Sequence, residues 1–367
     1  MPFRALLLVI SIAALASLGT ASPSTGPPGS VTLTVALPQP YTPRPAAGAK
    51  DDYRCFLLDP KLKRNMFLTR ARFQPGAPAI VHHIILFRVR PEQVAAAAAL
   101  DRRTAGAGWS CFGGTGLDDL ARGAALLNDA GWVAAWAPSR RSDRAPTGVG
   151  VPLAKRSRLI MQVHYSLYAR PRSDRTRVVL SLVPQAGSSL KPLRTMLLPA
   201  PVELACLPGE SGGLCDRTAA LSDLVKRHGA QAAWVPAGLL AFCDRDPRVP
   251  QPTTITTCQL RFDESVTIHA AAGHMHLLGK SLTLELDPGT PRARTILSIP
   301  RWDFHDQRLY VLSPPVRVAT GDALRVTCEH DQRLRRVGPP RYVLWGEGTA
   351  DEMCLATLYT IEAESYP

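Results

Sequence analysis

Short runs of alternating apolar and polar residues, separated by turn residues, limit most strongly what this 367-residue chain can fold into. Val31–Val35 is such a run, and its three apolar side chains would share one face of a strand. The 33 prolines favour turns over long helices. Similar runs rich in Val, Ile, Thr and Tyr occupy residues 53–58, 80–89, 158–167, 177–183, 265–271, 281–286, 316–320, 324–328 and 355–361. We therefore predict an all-β chain made of β-sandwich or jelly-roll domains.

The chain is long enough for two domains of ordinary size. A Gly-Ser-Ser segment at 187–189 follows a strand-like run and marks the predicted boundary. We expect a first domain over residues 31–188 and a second over residues 189–367.

Two segments depart from the strand pattern. Residues 91–103 begin with proline, continue through an alanine run and end with basic residues, which predicts a surface helix. Residues 206–258 hold four cysteines and predict an insertion in the second domain, with little regular structure beyond a short helix at 221–228.

The N-terminus has the features of a targeting segment. Arg4 precedes an uncharged, largely apolar run that ends in the small residues of 19–21. The run is short for a membrane span, so we predict a cleaved signal peptide over residues 1–21, followed by a Pro/Gly/Ser linker over 22–30. The mature chain is expected to be secreted or extracytoplasmic. It has no later apolar run of transmembrane length, so we expect no membrane span.

An exported chain with an even number of cysteines predicts disulfide bonds. Their spacing alone does not determine the pairing, and the absence of a Cys-x-x-Cys motif argues against a zinc cluster. The eight cysteines are Cys55, Cys111, Cys206, Cys215, Cys243, Cys258, Cys328 and Cys354.

The formal net charge is +13, and the basic residues responsible for it are scattered along the chain. A nucleic-acid interface would concentrate them and interleave aromatic side chains, so we expect no nucleic-acid partner. The positive charge would favour the approach of an anionic reductant.

Two histidine pairs are candidate metal ligands. His274 and His276 are spaced by two, so on a strand both imidazoles would share one face. His82 and His83 are adjacent and would point to opposite faces of a regular strand. They can bind one metal only if the strand is bulged or ends there.

His164 and Met353 complete two possible ligand sets. Three imidazoles suit a metal that cycles between oxidation states, and a thioether is a soft ligand that selects copper, especially Cu(I), over zinc or magnesium. A lone histidine or methionine is usually structural. His164 and Met353 are therefore candidate ligands only in combination with the two histidine pairs. The other histidines show no pairing pattern.

Five ordered motifs carry a resemblance that covers residues 51–361. They are Tyr53-Arg54-Cys55, Val81-His82-His83-Ile84-Ile85-Leu86-Phe87, Gln162-Val163-His164-Tyr165, His274-Met275-His276-Leu277-Leu278-Gly279-Lys280 and Asp351-Glu352-Met353-Cys354. So placed, they resemble the copper type II, ascorbate-dependent monooxygenases. Members of that family include peptidylglycine α-hydroxylating monooxygenase and dopamine β-monooxygenase.

The resemblance implies two jelly-roll-like domains with a cleft between them and one copper ion in each. His82, His83 and His164 would hold the electron-transfer copper. His274, His276 and Met353 would hold the catalytic, oxygen-binding copper. The resemblance also implies disulfides between Cys55 and Cys111 and between Cys328 and Cys354; the pairing of the other four cysteines stays open.

The implied activity is hydroxylation of a C–H bond in a small organic substrate. O2 would supply the oxygen atom, and ascorbate or a similar one-electron reductant would supply electrons. Gln162 and Tyr53 are candidates to orient the imidazoles. A non-catalytic copper-binding or copper-handling protein is the alternative, and a zinc hydrolase would leave Met353 unexplained.

Three positions depart from the family's pattern and bear on the substrate. The peptide-amidating members anchor a substrate carboxylate through an arginine, an asparagine and a tyrosine near the second site. The matching residues here are Ala272, Leu355 and Thr357, which carry no charge. A glycine-extended peptide is therefore not the expected substrate, and the pocket should be more apolar.

Overall fold

The computed structural model describes residues 29–45, 49–104, 107–112, 114–117, 129–138, 143–336 and 338–363. Within these residues the chain is mostly β-strand with few helices, which confirms the all-β prediction. The predicted signal peptide and most of the predicted linker lie outside the described residues.

The strands and helices come in two successive groups. The first group is β1 Val31–Ala36, β2 Asp51–Leu58, β3 Met66–Gln74, β4 Val81–Val89, α1 Val94–Arg102, β5 Trp109–Ser110, β6 Trp132–Trp136, β7 Asp143–Arg144, β8 Val149–Leu153, β9 Arg158–Ser166, β10 Arg177–Pro184 and β11 Lys191–Pro192. The second group is β12 Arg194–Pro199, β13 Glu203–Leu204, α2 Arg217–His228, α3 Trp234–Phe242, β14 Ile255–Arg261, β15 Val266–His274, β16 Gly279–Leu286, β17 Arg294–Ile299, β18 Tyr310–Val318, β19 Ala323–His330, β20 Val343–Leu344 and β21 Leu355–Glu362. Short 3-10 turns occupy Pro91–Gln93, Gly213–Cys215, Ala230–Ala233 and Gln332–Leu334.

The first group forms two facing sheets. One has the order β1-β10-β3-β8-β11, with β7 also paired to β3, and the other has the order β5-β2-β9-β4-β6. Apolar side chains from both, such as Leu180 and Phe73 from one and Phe56, Ile84 and Met161 from the other, meet in one core. The period-2 pattern of the strands produces this packing, because alternate residues point inward.

The second group repeats the arrangement with smaller sheets. Their orders are β12-β21-β15-β18 and β14-β19-β16-β17, and a separate ribbon pairs β13 with β20. Ile268 and Leu358 from one sheet pack against Leu284 and Val326 from the other in a second core.

The two groups are joined by direct contacts. Ala270 and Tyr359 of the second group belong to the first core. The backbone N–H of Ala130 donates to Thr195 O at 2.8 Å, and Thr195 Oγ1 donates to Trp132 O at 3.0 Å. These bonds link β12 to the β6 edge of the first group, so side chains from both groups can line a common site.

The cysteine-rich stretch contains more helix than predicted. Helix α2 contains the short helix predicted at 221–228 and begins four residues earlier, whereas α3 was not predicted. Asp216 caps α2 by accepting from the N–H of Ala219 at 2.8 Å. The proline of α3, Pro236, lies in the first helical turn, where a missing N–H costs no hydrogen bond.

All eight cysteines are paired. The structure joins Cys55 to Cys111 and Cys328 to Cys354, the two pairs that the resemblance implied. It also joins Cys206 to Cys215 and Cys243 to Cys258, which resolves the pairing that the sequence left open. The Cys328–Cys354 bridge ties β19 to the residue that follows Met353.

Among the helices of the described residues, none has the length and apolar character required to cross a membrane.

We predict that replacing both Cys328 and Cys354 with alanine lowers the free energy of unfolding more than replacing both Cys206 and Cys215. The first bridge spans 26 residues of sequence and the second spans 9, so chain entropy alone favours the first by about 1 kcal/mol. Burial of Cys328 and Cys354 adds a packing cost. Denaturant unfolding of the two double variants under oxidising conditions measures the difference. Equal destabilisation would contradict the expectation.

Candidate metal centres

A row of side chains across three neighbouring strands builds the three-histidine site. Tyr53 on β2 pairs with His164 on β9, and His164 pairs with His83 on β4. Directly opposed residues in neighbouring strands share a face, so these rings are neighbours. The register shifts between Val81 and His83, and this irregularity lets the adjacent His82 reach the same site.

The Nδ1 atoms of the three imidazoles converge. They lie 3.2 Å apart between His82 and His83, 3.1 Å between His82 and His164, and 3.3 Å between His83 and His164. A point equidistant from all three lies about 1.9 Å from each nitrogen. Imidazole–metal bonds are roughly 2.0–2.1 Å long, so the spacing of the three nitrogens fits a shared metal ion.

Two residues on β2 orient His164. Its Nε2 donates to Asp51 Oδ1 at 2.8 Å, which leaves the lone pair on Nδ1 for a metal. The Tyr53 ring stacks on the imidazole with centroids 4.0 Å apart. The Tyr53 hydroxyl gives its proton to the carbonyl of Glu347, so its oxygen presents another lone pair 3.0 Å from His164 Nδ1.

Burial keeps His82 and His83 in their neutral forms. Burial, reinforced by the neighbouring His164, lowers the pKa of His82 to about 2 and that of His83 well below its usual value. Burial alone would raise the pKa of Asp51, but hydrogen bonds from His164 and Thr349 lower it overall. A neutral imidazole is the form that binds metal, and an ionised Asp51 is the form that accepts from it.

Strand register also brings the second ligand set together. His274, the last residue of β15, pairs with Leu355, the first residue of β21. Continued past the strand ends, this register places His276 opposite Met353. The side chains of His274, His276 and Met353 line one cavity, and the two imidazole centroids are 5.2 Å apart.

Hydrogen bonds set which nitrogen each imidazole of the second set presents. His274 Nδ1 lies 2.7 Å from Gln307 Oε1, and His276 Nδ1 lies 3.0 Å from the carbonyl oxygen of Asp351. Both partners accept, so each Nδ1 carries the proton and each Nε2 keeps its lone pair. Two Nε2 lone pairs and the thioether of Met353 in the same cavity form a ligand set that suits a Cu(I) ion.

The Glu352 carboxylate joins the two segments that carry this second set. It accepts from the backbone N–H of His276, from Leu278 N at 2.8 Å and from Met353 N at 2.8 Å. Glu352 is 0% exposed. Burial raises its pKa to about 8, against the lowering effect of the three N–H donors.

Asp351 anchors the same loop to helix α2. Its carboxylate accepts from Arg227 at 2.7 and 3.0 Å, and it lies 3.5 Å from His228 Nε2. Burial opposes ionisation of Asp351, but Arg227 and His228 hold its pKa well below the usual range. The loop packs so closely that a Cβ at Gly348 would lie 2.6 Å from Asp351 Oδ2.

The two ligand sets face each other directly. The centroids of His83 and His274 are 6.4 Å apart, and Phe304 stacks on His82 at 5.0 Å while lying 6.3 Å from His276. Thr349 Oγ1 donates to Asp51 Oδ1 at 2.8 Å, so the loop that leads to Met353 also contacts the residue that orients His164.

The cavity beside the second set has a volume of about 700 Å³ and reaches His83 of the first. Ala272, Leu355 and Thr357, the positions at which the family's carboxylate anchor is missing, line it. Gln162 lines it too, but its amide donates to the carbonyl of Cys111 at 3.0 Å. The described hydrogen bonds of the Gln162 side chain are therefore made with Cys111, and none is made with an imidazole of the site.

Sequence reasoning missed several residues that hold the ligands, namely Asp51, Arg227, His228, Gln307, Thr349 and Glu352. Glu352 carried a signal, since it is a carboxylate directly before a candidate methionine ligand. Thr349 lies four residues before Met353 but shows no distinctive pattern, and Asp51, Arg227, His228 and Gln307 lie far from the ligands in sequence. Only strand pairing and loop packing bring them to the sites.

Comparisons with known proteins agree with the second site. The family model described as copper type II ascorbate-dependent monooxygenase, C-terminal domain, matches residues 249–363. A tyramine beta-hydroxylase from Caenorhabditis briggsae is 32% identical over 97 residues, which cover 26% of this chain and 16% of that relative. The matched segment is thus a small part of the relative.

Solved structures add no argument about function. The major capsid protein P2 from bacteriophage PM2 aligns over 92% of this chain and 98% of its own, with 10% identity and a TM-score of 0.30. The VP2 subviral particle of infectious bursal disease virus covers 92% of this chain and 73% of that chain, with 9% identity and a TM-score of 0.21. Both scores are too low to define a shared fold. The family match, by contrast, spans the segments that carry His274, His276 and Met353, so residues 249–363 are similar to the C-terminal domain of the copper type II ascorbate-dependent monooxygenases.

Proposed function

We propose that this chain is an exported copper-dependent monooxygenase that hydroxylates a C–H bond of a small organic substrate with O2 and an ascorbate-type reductant. The proposal rests mainly on one observation: a set of three imidazoles faces a set of two imidazoles and a thioether, and one cavity lies beside them. The family match over residues 249–363 supports the reaction class. Bound copper would supply the one-electron chemistry that side chains lack.

The proposal assigns a role to each ligand set. His82, His83 and His164 would hold the electron-transfer copper ion. His274, His276 and Met353 would hold the catalytic copper ion at the cavity, where the substrate would bind. Asp51, Gln307 and the Asp351 carbonyl fix the ring nitrogens, and Glu352 holds the His276 and Met353 segments together.

The proposal also includes the organisation of the chain. It comprises two jelly-roll-like domains divided near residue 188, over 31–188 and 189–367, and a cleaved signal peptide at 1–21. The four disulfides support export, because such bonds persist in oxidising compartments.

Copper content and Met353→Ala test the assignment of the two sites. The wild type should bind two copper ions per chain, and Met353→Ala should lose hydroxylation while the three-histidine copper stays reducible by ascorbate. Elemental analysis, electron paramagnetic resonance and product formation measure these outcomes. Met196→Ala is the control, since Met196 is buried in the same core but does not line the cavity. Undiminished turnover in Met353→Ala would remove that residue from the site.

Zinc binding instead of copper, or copper binding without oxygen consumption across a broad substrate panel, would overturn the proposal. The second result would instead favour a copper-handling protein.

Glu352→Gln tests the positioning of the second set. An amide nitrogen cannot accept, so at least one of three buried N–H groups loses its partner, at a cost of about 1–3 kcal/mol. Copper affinity at the His274/His276/Met353 set should fall by roughly tenfold or more, with little change at the three-histidine set. Copper titration and denaturant unfolding measure both effects. Glu362→Gln, an exposed carboxylate paired with Arg194, is the control, and equal behaviour of the two variants would refute the role.

Thr349→Val tests the contact between the loop and Asp51. Valine keeps the shape but removes the hydroxyl that donates to Asp51, so His164 is held less firmly. Electron delivery should slow on the order of tenfold, and less product should form per O2 consumed. Freeze-quench paramagnetic resonance and oxygen uptake provide the measurements. Thr349→Ser keeps the donor and should resemble the wild type; identical rates in both variants would show that the contact has no functional role.

A further inference from the structure

The cavity beside His274, His276 and Met353 carries information about the substrate, provided that the proposed function holds. Its volume of about 700 Å³ falls within the roughly 300–1,000 Å³ of pockets for drug-sized ligands. The cavity can therefore hold a molecule considerably larger than O2 or a single small ring.

Aromatic and aliphatic side chains form much of its wall. Trp132 and Trp136 of β6 contribute from one group of strands, and Trp345 contributes from the other. Helix α3 adds Val235 and Leu239, and the residues of this helix, 234–242, include no charged side chain. Such walls favour flat rings and aliphatic surface, and they offer hydrophobic rather than ionic recognition.

The described wall of the cavity provides no basic side chain to pair with an anionic substrate. Among the described residues that line the cavity there is no lysine or arginine, and Ala272, Leu355 and Thr357 stand where the family's peptide-binding members place their carboxylate anchor. Glu347 is the one carboxylate of the described lining, and it interacts with other groups of the protein. A charged ligand would lose hydration here without a matching partner.

We propose that this cavity takes an uncharged, predominantly apolar, ring-bearing molecule of drug-like size. One of its C–H bonds would lie at the end of the cavity formed by His274, His276 and Met353. A carboxylate has no basic partner in the described wall, and Glu347 already interacts with other groups of the protein, so we expect neither a carboxylate nor a primary ammonium group to be the recognition element.

Binding to the copper-free protein tests the proposal without depending on activity. Three probes of one shape are compared by calorimetry: para-phenylbenzyl alcohol, para-phenylbenzylamine and para-phenylbenzoate. The neutral alcohol should bind at least about tenfold more tightly than either charged probe, because only the charged probes lose uncompensated hydration. Equal or tighter binding of the amine or the benzoate would overturn the proposal.

Two cavity variants locate the binding. Leu239→Asp places a charge in the wall, and Val235→Trp fills the space without adding charge; each should weaken binding of the alcohol by about tenfold or more. If Leu239→Asp does not fold, Val235→Trp still decides the question. Trp234→Ala is the control on the same helix, because Trp234 is 77% exposed and does not line the cavity. Unchanged affinity in the folded cavity variants would place the probe elsewhere and refute the site.

Mass spectrometry with copper, ascorbate and the neutral probe separates this inference from the proposed function. Hydroxylation of the benzylic carbon gives a geminal diol that loses water to form the aldehyde. Tight binding with neither the aldehyde nor a product that has gained one oxygen would therefore sink the monooxygenase proposal and leave the cavity assignment intact. Oxidation of the charged amine probe but not of the alcohol would do the reverse.

Discussion

The second candidate metal centre depends on one buried carboxylate. Glu352 accepts backbone N–H bonds from His276 and Leu278 on one segment and from Met353 on another, although His276 and Glu352 are 76 residues apart. Removing a carboxylate from water is costly unless its oxygens are well bonded, so the segments that supply these donors are held in one arrangement. The thioether and the two imidazoles are presented together because this contact exists.

The first candidate centre is joined to the second by the same loop. Thr349 donates to Asp51, and Tyr53 donates to Glu347, while Asp51 and Tyr53 both orient His164. A change in the loop that leads to Met353 therefore reaches a ligand of the other centre through two hydrogen bonds. This physical connection supports the proposal that the two centres work as a pair, with Phe304 packed between their rings.

The strands could be predicted from the sequence because the alternation of apolar and polar residues along a strand is a local property. The histidine pairs stood out because of their spacing, whereas Met353 acquired a predicted role only in combination with them and through the family resemblance. The helices of the cysteine-rich stretch were harder to predict, because α3 is apolar on nearly all sides and its sequence shows no helical period. The roles of Asp51 and Gln307 could not be predicted from the sequence. An ordinary aspartate or glutamine orients a metal ligand only when folding packs the strand or loop that carries the ligand beside it.

By itself the sequence determined the all-β class and the presence of ligand types suited to copper, because both follow from residue chemistry and short-range periodicity. Only the resemblance to the family implies that Ala272, Leu355 and Thr357 stand where the peptide-amidating members carry their carboxylate anchor. Only the tertiary structure decided which nitrogen each imidazole presents, how closely the two ligand sets approach, and the size and charge of the cavity beside them. Each of these depends on contacts between segments far apart in the chain, and such contacts are set by sheet register and packing rather than by local pattern.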